Sequence, residues 1–304
     1  MLLSGSATWG LRFPQDLHEP GVRVLQHGLR FDTPWGPSDG WQVLELDKAI
    51  VIDDRPRQVL NVFSHGWPPH HIDHATHQRV AWILGQAGAQ KVLADSTCGS
   101  LNRALRPRDL VIAADLLDLT QTLFSTLPGR FTHLCQGTQL FCPVLGRTVE
   151  TVARELWPAS GRVYGHSSGL VVVHNWGPRF NTAAEARAYQ LLGADIINQS
   201  IGAEANGARE VGACFISASY VVSYENGVVP DAGNELDAIH HELALAAGRI
   251  SLRTLARADL SAPCACEGYR TQRPSSYALG SEPTGHPQSA IGDTGPLRTG
   301  TSVT

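Results

Sequence analysis

The chain has 304 residues, 42% apolar and 17% charged, which excludes a wholly disordered protein and leaves room for one large α/β domain or two smaller ones. A net charge of −4 without any basic stripe argues against nucleic acid as the main partner. No apolar run reaches the roughly 20 residues that span a bilayer, so no membrane partner is expected.

Met1-Leu2-Leu3-Ser4-Gly5 lacks the basic region and long apolar stretch of a secretion signal, and six cysteines at low density read as reduced thiols. A cytoplasmic location is therefore expected. In chain order, short apolar runs predict strands over 59–63, 91–94, 110–113, 170–174, 195–197 and 213–222. Between them, amphipathic spacing predicts helices over 75–88, 148–157, 183–192, 203–211 and 235–258. The third of these helices stops at Gly193, a residue suited to the turn that follows a helix. After Cys266 the composition changes to Gly, Pro, Ser and Thr without apolar periodicity, so residues 267–304 are expected to be a structureless tail. Residues 1–266 then form one domain, since no repeat and no linker interrupts them.

Four predicted strand exits are rich in small polar residues: Ser4-Gly5-Ser6, Ser64-His65-Gly66, Ser96-Thr97-Cys98-Gly99-Ser100 and Asn198-Gln199-Ser200. In open α/β sheets ligands bind beyond the carboxyl ends of strands, and hydroxyls with close backbone approach suit an anion. Each stretch taken singly is equally an ordinary turn.

The segment Ser96–Ser100 followed by Leu105-Arg106-Pro107-Arg108-Asp109-Leu110-Val111-Ile112 resembles the core signature of purine nucleoside and methylthioadenosine phosphorylases. So do Gly177-Pro178-Arg179-Phe180, then Gly193-Ala194-Asp195-Ile196-Ile197-Asn198, and the early Asp32-Thr33-Pro34-Trp35-Gly36-Pro37-Ser38-Asp39. Phe141-Cys142-Pro143 and Cys264-Ala265-Cys266 are similar to features of the methylthioadenosine branch. The matches are collinear over about residues 1–266. The resemblance implies a single α/β domain with a central mixed, partly barrel-like sheet flanked by helices, assembled as a trimer. It also implies phosphorolysis of a purine-type nucleoside, adenosine or a 5′-modified adenosine, to free base and ribose 1-phosphate, with phosphate as co-substrate and no cofactor. Carried across by position, Ser6, Ser64, His65, Ser96, Thr97 and Ser200 correspond to the phosphate cradle. Cys98, Gly99, His133, Phe180, Asn198, Gln199, Ser223 and Glu225 correspond to the nucleoside pocket, with Phe180 stacking on the base. His65, Ser223 and Glu225 are the catalytic candidates.

The sequence departs from the family pattern inside the site. Ser64 stands where the family carries a phosphate-binding arginine, and a hydroxyl cannot replace a bidentate fixed charge. Gln199 stands where a thioether packs under the sugar. Ser223 takes the place of the Asp or Asn near the purine N7, which leaves Glu225 as the candidate acid. Trp176 takes a commonly acidic place. Three readings stay open: phosphorolysis with Arg12 or Arg103 supplying the charge, a phosphate-independent ribosyl hydrolase or transferase, and a non-catalytic nucleoside binder. Turnover that depends on added phosphate marks the first, and binding without turnover marks the third.

Other features are weighed on their residues. His65, His70, His71, His74 and His77 with Asp73 offer metal-type ligands, but Pro68-Pro69 breaks the helical spacing and no zinc pattern is matched. A polar loop is the preferred reading, and no metal site is predicted. His240-His241-Glu242 lacks the second histidine of a metalloprotease motif and reads as a helix surface or pocket lid. Cys264 and Cys266 form a redox pair, a strained bridge or two thiols, of which two thiols are preferred. Cys98 reads as a small apolar side chain rather than a nucleophile. Trp35, Trp41 and Trp82 read as core or interface. Neither a Walker loop nor a Rossmann glycine fingerprint is present, so ATP and NAD are not expected.

Overall fold

The computed structural model describes residues 1–64, 75–120, 130–134, 140–177, 179–230, 235–266, 268 and 270–274, with backbone alone at 130–134 and 270–274. The elements are β1 (Leu2–Ser4), β2 (Val22–Thr33), β3 (Gly36–Leu46), β4 (Arg57–Phe63), α1 (Ala75–Gln86), β5 (Lys91–Ser100), β6 (Leu110–Val111) and β7 (Asp115–Asp118). They continue with β8 (Arg130–Leu134), α2 (Pro143–Leu156), β9 (Val163–Tyr164), β10 (Val171–His174), α3 (Ala183–Leu191) and β11 (Ile196–Asn198). The last are α4 (Ile201–Glu210), β12 (Cys214–Tyr224), α5 (Leu236–Arg257) and β13 (Arg270–Pro274).

Eleven strands form one mixed sheet, flanked by helices, as the fold class implied. Every predicted strand and helix has a counterpart, with shifted ends. Helix α2 begins at Pro143, five residues before the expected start, because proline suits the first helical turn and Cys142 caps it. Its sulfur accepts from the Leu145 N–H at 3.4 Å. Helix α3 carries a full capping box between Thr182 and Glu185. The long β2–β3 hairpin was not predicted. Its register slips at three places and β2 is mostly exposed, so it carries neither an apolar run nor clean alternation. The tail expectation is corrected for residues 270–274: they form β13, antiparallel to β8, a pairing made by backbone groups that needs no apolar side chains. Residues 275–304 lie outside the described residues.

Strand β5 organises the molecule. One of its edges is covered along its length by parallel β12, from Cys214↔Lys91 to Tyr224↔Ser100. The other edge is shared. Parallel β1 occupies it at Leu93 and Ala94, and antiparallel β11 occupies it at Gly99 and Ser100. From this edge the sheet runs away from β5 in two wings, β1-β4-β3-β2 and β11-β10-β7, while β6 and β9 continue beyond β12. Between the wings, Asp95 to Cys98 meet no strand on that edge. Such a gap lies at a topological switch point, where α/β sheets bind ligands.

Asp95 fixes the first wing's exit. Its buried carboxylate accepts from the Gly5 N–H at 3.0 Å and from the Thr8 hydroxyl at 3.1 Å, holding the turn after β1 against β5. Asp95→Ala leaves both donors without this acceptor in a buried turn. A loss of about 2–3 kcal/mol is expected, read as a lower urea midpoint with an unchanged m-value.

Candidate functional site

The gap in the β5 ladder is bridged by side chains. The Thr97 N–H donates to Ser6 Oγ at 2.9 Å, and the Thr97 carbonyl accepts from Asn198 Nδ2 at 3.0 Å. The Thr97 hydroxyl also meets Ser6 Oγ at 2.9 Å. Asn198 Oδ1 accepts from the Ser200 N–H, the Ser200 hydroxyl and the Ile201 N–H at 2.8, 3.1 and 2.9 Å, so it anchors the start of α4. One turn along that helix, Glu204 Oε1 lies 3.5 Å from Ser64 Oγ. The Ser64 N–H in turn donates to the Ser4 carbonyl at 2.9 Å, two residues before Ser6. These bonds close a ring through Ser6, Thr97, Asn198, Ser200, Glu204 and Ser64. Four residues from separate strand exits are thereby brought together: Ser6, Ser64, Thr97 and Ser200.

The remaining predicted cradle residues divide. Ser96 does not share Thr97's face, because successive strand residues point to opposite sides. It is 1% exposed, with its hydroxyl 2.6 Å from Ser219 Oγ and accepting from Asn198 Nδ2 at 3.2 Å. Of the two residues expected in the phosphate cradle, Ser96 thus lies on the opposite face of β5 from Thr97. Cys98 is buried on the same side as Ser96, and burial together with the Glu225 charge pushes its thiol well above the ordinary range, against a nucleophilic role. Asn198 engages both its amide oxygen and its amide nitrogen with neighbouring strands and the start of α4. His65 lies outside the described residues, as do His70, His71, His74 and Pro178. His133 lies on β8, where the backbone alone is described.

The charge of this ring is distinctive. Its hydrogen bonds run among hydroxyls, backbone groups, one amide and one buried carboxylate. Arg12, expected as a substitute cation, pairs with Asp16 at 2.7 Å and is 85% exposed. Arg103 donates to the Val228 carbonyl at 2.7 Å. Neither meets the ring through these bonds.

A second cluster lies at the far ends of β5 and β12. A register shift between Val221 and Ser223 re-aims the end of β12, placing Ser223 opposite Gly99. Glu225 follows, held by its N–H to the Ser100 carbonyl at 2.9 Å. Its carboxylate lies over Gly99 so closely that a Cβ there would come within 2.1 Å of Oε1. Glycine at position 99 leaves room for this acid, and a Cβ there would make the Glu225 side chain shift. Glu225 is 6% exposed, and burial raises its carboxyl above the usual range while the Asn181 amide pulls it partly back. Asn181 Nδ2 reaches Glu225 Oε2 at 3.5 Å, and Asn181 Oδ1 accepts from Asn175 at 2.6 Å. Sequence reading missed Asn181. Its place directly after Phe180 was the one available signal.

Phe180 is 73% exposed, with its ring on the surface beside this cluster. Gln199 is exposed and donates to the Arg179 carbonyl at 3.0 Å, tying α4's approach to the Phe180 loop. Trp176 sets its ring edge-on to His174 at 4.8 Å and tilted against His77 at 5.3 Å, filling space between β10 and α1. On α5, His240 Nδ1 lies 2.9 Å from Tyr220 Oη while Glu242 pairs with Arg108 at 2.7 Å, so the two face different partners. Trp41 is fully buried, and Trp35 packs against Trp82.

Residues 29–258 match the profile of the phosphorylase superfamily. A probable 6-oxopurine nucleoside phosphorylase of Thermococcus kodakarensis is 34% identical over 176 residues, 55% of this chain and 62% of the relative. The S-methyl-5′-thioadenosine phosphorylase of Pyrococcus furiosus is 30% identical over 227 residues, 74% of this chain and 78% of the relative. The match thus spans less than two thirds of the length of the first relative and more of the second. A methylthioadenosine phosphorylase from an Antarctic soil metagenomic library has the same fold, with a TM-score of 0.67 at 20% identity, covering 88% of this chain and 89% of that one.

The Gly99–Glu225 approach is open to a double-mutant cycle. Gly99→Ala is expected to cost about 1–3 kcal/mol by displacing the carboxyl. Glu225→Ala removes the obstruction, so the double variant should fall short of the summed losses by about 1 kcal/mol or more in urea unfolding. Simple additivity would show that the two residues do not touch.

Proposed function

The chain belongs to the phosphorylase superfamily, and on that footing we propose that it cleaves the N-glycosidic bond of a purine nucleoside with phosphate, releasing free base and ribose 1-phosphate. The observation that carries the reading is the pairing, along β5 and β12, of a hydroxyl ring with a buried carboxylic acid. Such a bond breaks through a cation-like sugar, so a catalyst must supply an anion on one side and a proton for the leaving base on the other. Ser6 offers a hydroxyl donor to a phosphate oxygen, and the Thr97 and Ser200 hydroxyls reach it by turning from Ser6 Oγ and Asn198 Oδ1. Phosphate bonds to C1′ while the C1′–N9 electron pair departs with the purine. The Glu225 carboxyl, whose pKa burial raises, gives its proton to the base in its protonated form, and Ser223 offers a hydroxyl beside it. Phe180 supplies an aromatic face for the purine and Gln199 an amide toward the sugar.

The finer assignment is to adenosine or a 5′-modified adenosine, supported by Phe141-Cys142-Pro143 and Cys264-Ala265-Cys266, which resemble the methylthioadenosine branch. A homotrimer in the cytoplasm belongs to the same proposal. One observation favours a second reading, an N-ribosyl hydrolase: Ser64 stands beside the Glu204 carboxylate where the family carries a guanidinium. A carboxylate there opposes a phosphate dianion and tolerates water.

Adenosine, methylthioadenosine and inosine, each incubated with and without phosphate, separate these readings. Adenine released only with phosphate is expected. Equal release without phosphate would replace phosphorolysis by hydrolysis, and hypoxanthine as the sole product would move the substrate to the 6-oxopurines. For the acid, kcat/KM should fall as pH rises through the raised Glu225 pKa, since the protonated form is the active one. Glu225→Gln should lower kcat about 10²-fold or more and abolish that alkaline limb. An unchanged limb would remove Glu225 from the role.

A further inference from the structure

At the opposite ends of β5 and β12 from the nucleoside pocket lies a second constellation. The sulfurs of Cys142, Cys214, Cys264 and Cys266 all lie within 4.8 Å of one another. They come from three places: the N-cap of α2, the first residue of β12, and the segment after α5. Three are buried and Cys264 is half-buried, and all four are free thiols. Cys214 and Cys264 approach to 3.2 Å. Four thiolates about 2.3 Å from a central ion would stand about 3.8 Å apart, so this tetrad needs little adjustment to enclose one.

We propose that these four cysteines bind one structural divalent metal ion of the zinc class. Three observations beyond the sulfur positions support the assignment. Lys91, one of the chain's two lysines, is buried and donates from Nζ to Cys214 Sγ at 3.3 Å. Arg209, 1% exposed, sets its charge beside Cys266, where it lowers the thiol pKa, and donates from Nε to the Leu140 carbonyl at 2.7 Å. The Leu145 N–H at the start of α2 points at Cys142 Sγ. Binding converts a divalent ion and four thiols into a tetrathiolate centre of charge 2− and releases four protons. Two buried cations and a helix N-terminus face that charge.

The ligand set also fixes the ion's class and role. Four soft thiolates in a tetrahedral array select zinc over oxygen-seeking cations, and four protein ligands leave no open position for substrate. Position agrees: Gly99 is eight residues along β5 from Lys91, roughly 26 Å at the rise of a strand. The ion would tie the segment after α5 to the sheet and fix the C-terminal end of α4, whose other end begins at Ser200. Its role is structural, and it stands whether the pocket phosphorolyses or hydrolyses its nucleoside.

The test uses the full chain, reduced, loaded with zinc under argon and passed through gel filtration. About one zinc per chain is expected by elemental analysis, released by an organomercurial and scored with a metal-sensitive dye. Cobalt in its place should show intense thiolate charge transfer in the near ultraviolet and tetrahedral bands in the red. Cys264→Ser and Cys266→Ser, both outside the regular elements, should each lose the cobalt spectrum and lower Tm while leaving the KM for nucleoside within about twofold. Either of two results overturns the proposal: metal-free protein whose thiols all titrate in guanidinium, or metal-free protein whose four cysteines are paired as disulfides by mass.

Discussion

The architecture depends on an unfilled stretch of one strand edge. Strand β5 is paired along one side by β12, but its other side passes from parallel β1 to antiparallel β11, and Thr97 falls between them. A buried backbone N–H and carbonyl cannot be left without partners. Ser6 and Asn198 fill the gap with side chains, and in doing so draw the exits of β1 and β11 into one place. The polar ring is thus a consequence of how the sheet divides.

The two ends of β5 and β12 carry different chemistries. At the carboxyl ends, Gly99 admits the Glu225 carboxyl, and burial raises that acid's pKa above its ordinary range. At the amino ends, the sulfurs gather beside Lys91 and Arg209, two cations held away from water. The same parallel pairing separates them by most of a strand's length. Helix α4 joins both: Ser200 opens it at the hydroxyl ring, and Arg209 closes it near the cysteines.

The ring's electrostatics separate this chain from the pattern its scaffold resembles. A serine at position 64 next to Glu204 gives a cradle built from dipoles and hydroxyls. Arg12 and Arg103, the nearest candidates by sequence, are engaged with Asp16 and with the Val228 carbonyl. Hydroxyls and oriented dipoles act at short range and lack the reach of a guanidinium.

Much was legible in the residues themselves. Apolar runs and amphipathic spacing marked the buried strands and the helices, because burial on a sheet or a helix face imposes a period on the sequence. The hydroxyl-rich exits at Ser6, Thr97 and Ser200 were visible for the same reason. The β2–β3 hairpin was not, since its exposed and bulged strands carry no period. Strand alternation, which turns Ser96 and Cys98 inward and leaves Thr97 and Gly99 outward, needed the strand's orientation. Asn181 and Asp95 gain their meaning from partners 44 and 90 positions away. The cysteines show the division most plainly. Cys264-Ala265-Cys266 reads as a local pair, and Cys142 and Cys214 lie 122 and 50 residues from Cys264. Only the parallel pairing of β12 with β5, and the docking of α2 and α4 beside it, brings four thiols and two cations to one point, because proximity across a sheet leaves no mark on the spacing of a chain.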